Sequence, residues 1–363
     1  MAGTINMGIL SDRQIQTAFL EGWIASEKPL DADQIQPASL DLRLGAVAYR
    51  VRASFLPGPT VTVADRIQQL RLHEIDLSRG AVLETGCVYI VPLLESLALP
   101  PEIEASANPK SSTGRLDIFT RVITDRAQAF DTIPAGYSGP LYLEVSPRTF
   151  PILARTGSRL SQIRFRRGDT RLSDAALTAL HVAAPITDRQ PMIANGLCLS
   201  IDLEGSGAIV GYRAKRHTDV VDVDQRAALD MLDFWEPISR RGRAELILDP
   251  DQFYILVSRE AVHVPPEHAA EMVAFDPLVG EFRVHYAGFF DPGFGNSAAG
   301  GAGSRAVLEV RSHEVPFILE HGQTVGRLVY ETMSERPAVL YGAGAGSNYQ
   351  AQGLKLSKHF RVI

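Results

Sequence analysis

Between Pro109 and Arg115 the chain sets three consecutive hydroxyls, Ser111, Ser112 and Thr113, beside two cations, Lys110 and Arg115, with Gly114 loosening the run. Hydroxyls and backbone N–H groups donate to phosphate oxygens, and Lys and Arg neutralise their charge. The remainder of the chain gives this cluster its weight. Its 36 Lys and Arg against 42 Asp and Glu leave a formal charge of −6, which is not the basic excess of a general nucleic-acid or membrane-surface binder. A polyanionic ligand must then be held by a local cluster or together with a metal ion. Read alone, the same stretch also describes an ordinary polar turn.

Two glutamates stand in matching surroundings. Glu144 follows Pro140-Leu141-Tyr142-Leu143, Glu309 follows Ala306-Val307-Leu308, and each precedes a valine. A carboxyl at the end of an apolar strand, facing a partly dry pocket, has its pKa raised because burial disfavours the ion. Such a group can take a proton from water and return it as a general acid. Strands alternate faces, so a glutamate here can equally point to solvent. Asp131, and Asp291 within Phe290-Asp291-Pro292-Gly293, are turn-forming aspartates that could also contact a sugar hydroxyl.

Other chemistries lack their residues. There is no Cys-x-x-Cys pair and no His-x-Glu followed by a cysteine pair, and the nine histidines are scattered. A zinc site of the kind many nucleobase deaminases use is therefore not expected. The phosphate-loop pattern Gly-x-x-x-x-Gly-Lys-Ser/Thr and the hydrolase elbow Gly-x-Ser-x-Gly are absent as well. Cys87 and Cys198 lie in apolar β-like runs and read as buried thiols, which fits a reducing cytoplasm. No signal peptide is expected, and no apolar stretch approaches membrane-spanning length. Neither nucleic acid nor a membrane is an expected partner.

The elements that must position these residues come in two sets. Residues 83–95 resemble 248–260, Leu143-Glu144-Val145 resembles Leu308-Glu309-Val310, and Gly157 matches Gly322, at a constant offset of 165 (309 − 144; 322 − 157). A fixed offset across separated motifs points to tandem duplication. We expect a first domain over 1–170, a linker over 171–194 and a second domain over 195–363. Ser39-Leu40-Asp41-Leu42 and Ser200-Ile201-Asp202-Leu203 would open the two copies. Short apolar or alternating runs at 40–44, 88–91, 141–145 and 163–165, punctuated by Gly and Pro, predict a mainly β fold of two compact barrel or jelly-roll-like units. Helices should be few. Ser11 with Gln14 forms a capping box for a helix to about Gly22, Ser173 caps another over 175–180, and Asp224 a third through Met231. The basic runs opened by Arg166-Arg167 and by Arg240-Arg241 read as solvated surface.

Taken in order, Gly8–Ile15, Gln36–Gly45, Pro109–Arg115 and Leu143-Glu144-Val145 resemble the dCTP deaminases of the trimeric dUTPase superfamily. The tail Tyr349-Gln350-Ala351-Gln352-Gly353 is similar to the family's nucleotide-closing segment. The whole resembles a double-length member with two such domains fused. The resemblance implies zinc-independent conversion of dCTP to dUTP and ammonia, a glutamate activating water for attack at C4 of cytosine, and Mg²⁺ accompanying the triphosphate. It puts Glu144 in the glutamate role and Ser111, Ser112 and Arg115 at the phosphates and near the catalytic water. Lys110 replaces the family's usual Arg, keeping the charge without the bidentate fork. Arg126 would end a base-reading loop, and Tyr349 and Gln352 would be tail contacts to phosphate.

The second copy departs from the pattern. Opposite 109–115 it has Asp276-Pro277-Leu278-Val279-Gly280-Glu281, and Glu281 would repel a triphosphate. It keeps Glu309 and Asp291. Because the family's sites lie between neighbouring barrels, two arrangements stay open: first-copy barrels trimerise and use Glu144, or the copies alternate and join Ser111 and Arg115 to Glu309. A homotrimer of two-barrel chains is the simplest closed assembly. One kind of working phosphate site per chain is expected. The alternatives are a dUTP diphosphatase or bifunctional enzyme on the same fold, and a nucleotide-sensing protein whose second copy has lost catalysis.

Overall fold

The structure, a computed structural model, describes residues 6–205, 207–240, 242–274, 282–285, 288–312, 314–343 and 352–361. Tyr349 and the 276–281 stretch fall outside the described residues.

The chain is mainly β. Each half builds two larger antiparallel sheets. In the first half, Ile103–Pro109, Arg159–Arg167 and Ser39–Arg43 lie side by side in one sheet. Ile118–Thr124, Ser138–Pro147, Val88–Ala98 and Val47–Val51 follow one another in the other. The second half repeats the plan with Leu197–Ser200, Thr324–Thr332 and His268–Ala274 in one sheet, and Ile209–Ala214, Phe253–Val262 and Ser304–Ser312 in the other.

The pairing repeats as well as the plan. Glu144 lies opposite Ile90 and Glu309 opposite Ile255; Ile163 opposite Ala107 and Leu328 opposite Met272; Ile152 opposite Leu83 and Phe317 opposite Leu248. Each pair is displaced from its counterpart by the sequence offset of 165. The opening strands differ. Leu42 pairs with Ser161 and Leu199 with Gly326, so the counterpart of Ser200 is Arg43, not Ser39. Backbone anchoring explains this: the Arg43 and Ser200 N–H groups each donate over 2.8 Å to a glutamate, Glu95 and Glu260. The likeness between the two Ser-x-Asp-Leu runs is out of structural register.

Ser11 caps Asp12–Leu20, with the Gln14 side chain accepting back from the Ser11 N–H over 3.0 Å. Ser173 caps Asp174–Ala183, whose Leu177 is buried in the second core, so this part of the expected linker is a packed element. Asp224 caps no helix. Its carboxylate is taken by Ser158 and Arg155, and Asp230 caps the short turn Met231–Phe234 instead. The helix Val63–Leu70, capped by Thr62, has no counterpart among the helices expected from sequence. Arg166 is not solvated surface, since it donates to Ser106 and lies 3.8 Å from the buried Glu331. Of the two free thiols, Cys198 is buried and Cys87 only partly so.

The halves share a core. Tyr212, Phe234, Trp235, Phe253 and Phe360 of the second half pack into the first-half cluster. Phe150 sits edge-on to Phe234 and Trp235 at centroid distances of 5.5 and 5.4 Å, contacts that each add about 0.5–1.5 kcal/mol beyond burial. Val221–Asp222 of the second half adds a parallel strand to Ile152–Ala154 of the first. The seam between the halves is therefore held in a fixed register.

Candidate active site

The strand Ile103–Pro109 delivers the chain to the seam. Lys110 remains extended, and Ser111–Gly114 then make one helical turn closed by the Thr113 and Gly114 N–H groups donating to the Lys110 carbonyl over 2.8 and 3.0 Å. This turn faces inward: Ser112, Thr113 and Arg115 are buried. Arg115 donates to the Gln352 side chain (3.1 Å) and to the Lys355 carbonyl (3.0 Å), so the C-terminal segment fixes its guanidinium. Ser357 Oγ donates to the Ser112 carbonyl over 2.8 Å and lies 2.9 Å from His359 Nδ1.

Glu309 arrives from the other half on Ser304–Ser312. Its carboxylate rests on Gly114 so closely that a Cβ there would stand 2.5 Å from Glu309 Oε2. Only glycine allows that approach. Glu309 is 4% exposed. Burial pushes its pKa well above the usual carboxylate range, Arg115 opposes that rise, and Asp117 adds to it.

Around this contact lies a cavity of about 530 Å³ lined by both halves, within the roughly 300–1,000 Å³ of small-molecule pockets. Met272, Phe289, Phe290, Phe294, Val307 and Leu340 supply apolar wall. Asp291 lines it too. Burial raises its pKa, and Arg164 counters the rise from 3.3 Å. Arg164 is itself fully buried, stacks 4.0 Å from the Phe289 ring centroid, pairs with Glu331 (3.2 Å) and donates to the Phe290 carbonyl (3.4 Å). It thus holds the whole Phe289–Asp291 wall. Lys110 is ion-paired with the buried Asp41.

The structure brings Lys110, Ser111, Ser112, Arg115, Asp291, Glu309 and Gln352 to this one cavity. It does not bring Glu144, Asp131 or Arg126 there. The Glu144 Oε1 accepts from Arg121 Nε and Nη2 (3.0 and 2.6 Å), while its Oε2 is buried with no hydrogen-bond partner among the described residues. Asp131 accepts from the Val122 N–H over 2.7 Å on the same side of the first half. Burial pushes its pKa up to about 7. Arg126 is exposed in a left-handed turn with φ 62° beside Val61. These three lie away from this cavity, and Asp291 of the second half is the turn aspartate that lines it. Sequence reasoning missed Asp41, Arg226, Tyr341 and Lys358, which also line it. Asp41 lay inside the Gln36–Gly45 motif and could have been found; Arg226 and Lys358 stand in polar surroundings without a motif, and Tyr341 ends an apolar run, Ala338-Val339-Leu340, that reads as core.

Family models for 2'-deoxycytidine 5'-triphosphate deaminase match in two parts, the N-terminal domain over residues 6–169 and the C-terminal domain over 173–360. A "dCTP deaminase, dUMP-forming" of Beutenbergia cavernae is 30% identical over 160 residues, 44% of this chain and 79% of that protein. A "dCTP deaminase" of Halorubrum lacusprofundi is 34% identical over 161 residues, 43% of this chain and 76% of that one. The crystal structure of 2'-deoxycytidine 5'-triphosphate deaminase from Agrobacterium tumefaciens is similar with a TM-score of 0.88 and 69% identity, covering 90% of this chain and 99% of that one. The chain belongs to the 2'-deoxycytidine 5'-triphosphate deaminase family.

Proposed function

We propose that the cavity at the seam deaminates dCTP, one working site being completed within each chain by Ser111, Ser112 and Arg115 of the first half and Glu309 of the second. The observation that carries this reading is the Glu309 carboxylate packed on Gly114, inside the phosphate-type turn itself. Burial raises the Glu309 pKa and so makes its carboxylate a stronger proton acceptor, as a group that takes a proton from water and passes it on requires. Glu309 takes a proton from water as its oxygen attacks C4 of cytosine, and passes that proton to N3. A second proton moves from the new C4 hydroxyl, through the same carboxylate, to the exocyclic nitrogen. The C4–N bond then breaks, releasing ammonia and leaving the C4 carbonyl of dUTP. Arg115, fixed by Gln352 and the Lys355 carbonyl, offers a fixed positive charge beside the reacting carboxylate, and Ser111 and Ser112 offer hydroxyls to phosphate or water.

Among the described residues no three His, Cys, Asp or Glu side chains converge as a metal-holding group. Mg²⁺ enters this proposal as part of the substrate, bound to its phosphates. The repeated register supports descent of both halves from one duplicated dUTPase-like barrel, and assembly of three chains is proposed as the closed form. No helix among the described residues is long and apolar enough to cross a membrane; a cytoplasmic enzyme is proposed from cysteine usage.

A second reading is favoured by the names of several relatives, "dUMP-forming": the same cavity goes on to cleave dUTP to dUMP and pyrophosphate. Incubating EDTA-washed protein with dCTP and Mg²⁺ separates these outcomes. Ammonia with dUTP supports the first reading and pyrophosphate with dUMP selects the second. No ammonia sinks both.

A further inference from the structure

The strand that carries Glu309 meets the first half at a second point. Arg311 stands two residues after Glu309 on Ser304–Ser312, so both side chains leave the same face of that strand. Glu309 rests on Gly114, and Arg311 Nη2 donates to the carboxylate of Asp117, three residues further along. Asp117 itself closes the turn. Its N–H donates to the Gly114 carbonyl over 2.8 Å, and its φ of 55° is a left-handed conformation that aspartate tolerates. Thr149 Oγ1 donates to the same carboxylate over 2.5 Å, and Arg311 Nη1 is held by the Asp251 carbonyl of its own half. Asp117 and Arg311 are both buried, and neither lines the cavity.

A buried ion pair is a poor device for cohesion alone, since well-packed apolar residues of similar volume hold a seam as well or better. Its charges here point to a further use. The two halves locate that use: the first half has Ser146 two residues after Glu144, where the second has Arg311, so the cation accompanies only the glutamate that faces the cavity. We propose that Asp117 and Arg311 are a positioning pair that fixes the Glu309 carboxylate on the turn, and that the Asp117 charge strengthens Glu309 as a proton acceptor. The inference rests on the deaminase reading of the same cavity. Arg311 keeps Asp117 ionised in a buried place. Burial lifts the Glu309 pKa most, Arg115 opposes the rise and Asp117 adds to it. The strands beside Glu309 set Ile255 and His285 opposite it in register, and Lys110 and Asp291 line the same cavity.

The test measures steady-state deamination of dCTP against pH by the full chain, as wild type, Asp117→Asn, Asp117→Asn with Arg311→Gln, and Thr149→Val. The rate falls on the acid side as Glu309 takes up a proton. Asp117→Asn keeps the shape and removes the anion, so Glu309 becomes a weaker base. The acid limb of kcat should move down by about 1 in pH, the plateau should drop about 3–10-fold, and KM should stay near wild type. The double variant also removes the cation that Asp117→Asn leaves unpaired, so its limb should lie between those of wild type and Asp117→Asn. Thr149→Val leaves both charges in place and should keep the wild-type limb. Where Asp117→Asn fails to fold, the double variant, with no stranded buried charge, decides. A limb at the wild-type pH in the Asp117 variants, or a rise in KM matching the fall in kcat, overturns the proposal. Wild type releasing no ammonia instead overturns the deaminase reading.

Discussion

Glu144 and Glu309 occupy the same place in two copies of one sheet, yet they face different surroundings. Each lies opposite an isoleucine on a central strand, and each is almost fully buried. What differs is the neighbour. Glu309 meets Gly114, Arg115 and a cavity; Glu144 meets Arg121, whose guanidinium sits between the rings of Phe130 and Phe119 at 3.5 and 4.7 Å. The insertions between equivalent strands account for this. In the first half, residues 52–70 fold back over their own Glu144 side: Ser54 accepts from Arg121, Val63 bonds Asp125 and Ile67 packs with Tyr142. In the second half, residues 215–234 reach across the seam instead and leave Glu309 open to the partner half. A residue and its strand register do not fix a role; the group placed opposite does.

The largest effect expected from this contrast is in turnover. Glu309→Gln should lower kcat for dCTP by about 10²–10⁴, the usual contribution of a positioned general acid–base, while Glu144→Gln leaves kcat near wild type. Comparable losses in both would erase the distinction. Next, Arg121→Met strands a buried carboxylate and should destabilise the fold by about 3–5 kcal/mol in urea denaturation, with Glu144→Gln added to it recovering part of the loss. A purely additive double variant would contradict the pairing.

Gly114→Ala places a methyl against the Glu309 carboxylate, and the displacement should reduce kcat/KM about 10–100-fold with little change in melting temperature. Wild-type rates in this variant would show that the close approach is dispensable. The smallest effect concerns pH. Burial lifts the Asp131 pKa from 3.8 to about 7 in the fold, so its ionisation costs the native state more than the unfolded one. Stability should fall as pH rises from about 4 to about 7, by at most about 1.4 kcal/mol for each step of one in pH. Asp131→Asn, which keeps an oxygen for the Val122 N–H, should flatten that fall. A parallel curve for the variant would show that Asp131 carries none of it.

What was legible in the sequence was local or repeated. The Ser11 and Ser173 caps, the strands around 88–91 and 141–145, the 165 offset and the Ser111–Arg115 cluster all declare themselves within a few residues or by comparison of the halves. Glu309 was legible as a candidate, but which of the two glutamates faces the cavity was not, because Arg121 reaches Glu144 across a strand pair and residues 52–70 cover it by tertiary contacts. Lys358 and Arg226 were silent for the same reason: a cation in a polar run joins a site only when distant pairings, Val221 with Ile152 or Ser357 with Ser112, carry it there. Asp224 misled because its carboxylate answers Arg155 and Ser158 rather than its own helix.

One chain supplies both sides of its site in this arrangement, and complementation tests that most directly. Glu309→Gln and Arg115→Met chains, each inactive alone, are co-expressed with different tags, and species carrying both tags are isolated and assayed for ammonia release from dCTP. If Ser111 and Arg115 meet Glu309 of the same chain, every site carries a defect and no activity returns. Recovery of a sizeable fraction of the wild-type rate would place Glu309 opposite the turn of a neighbouring chain and contradict the arrangement.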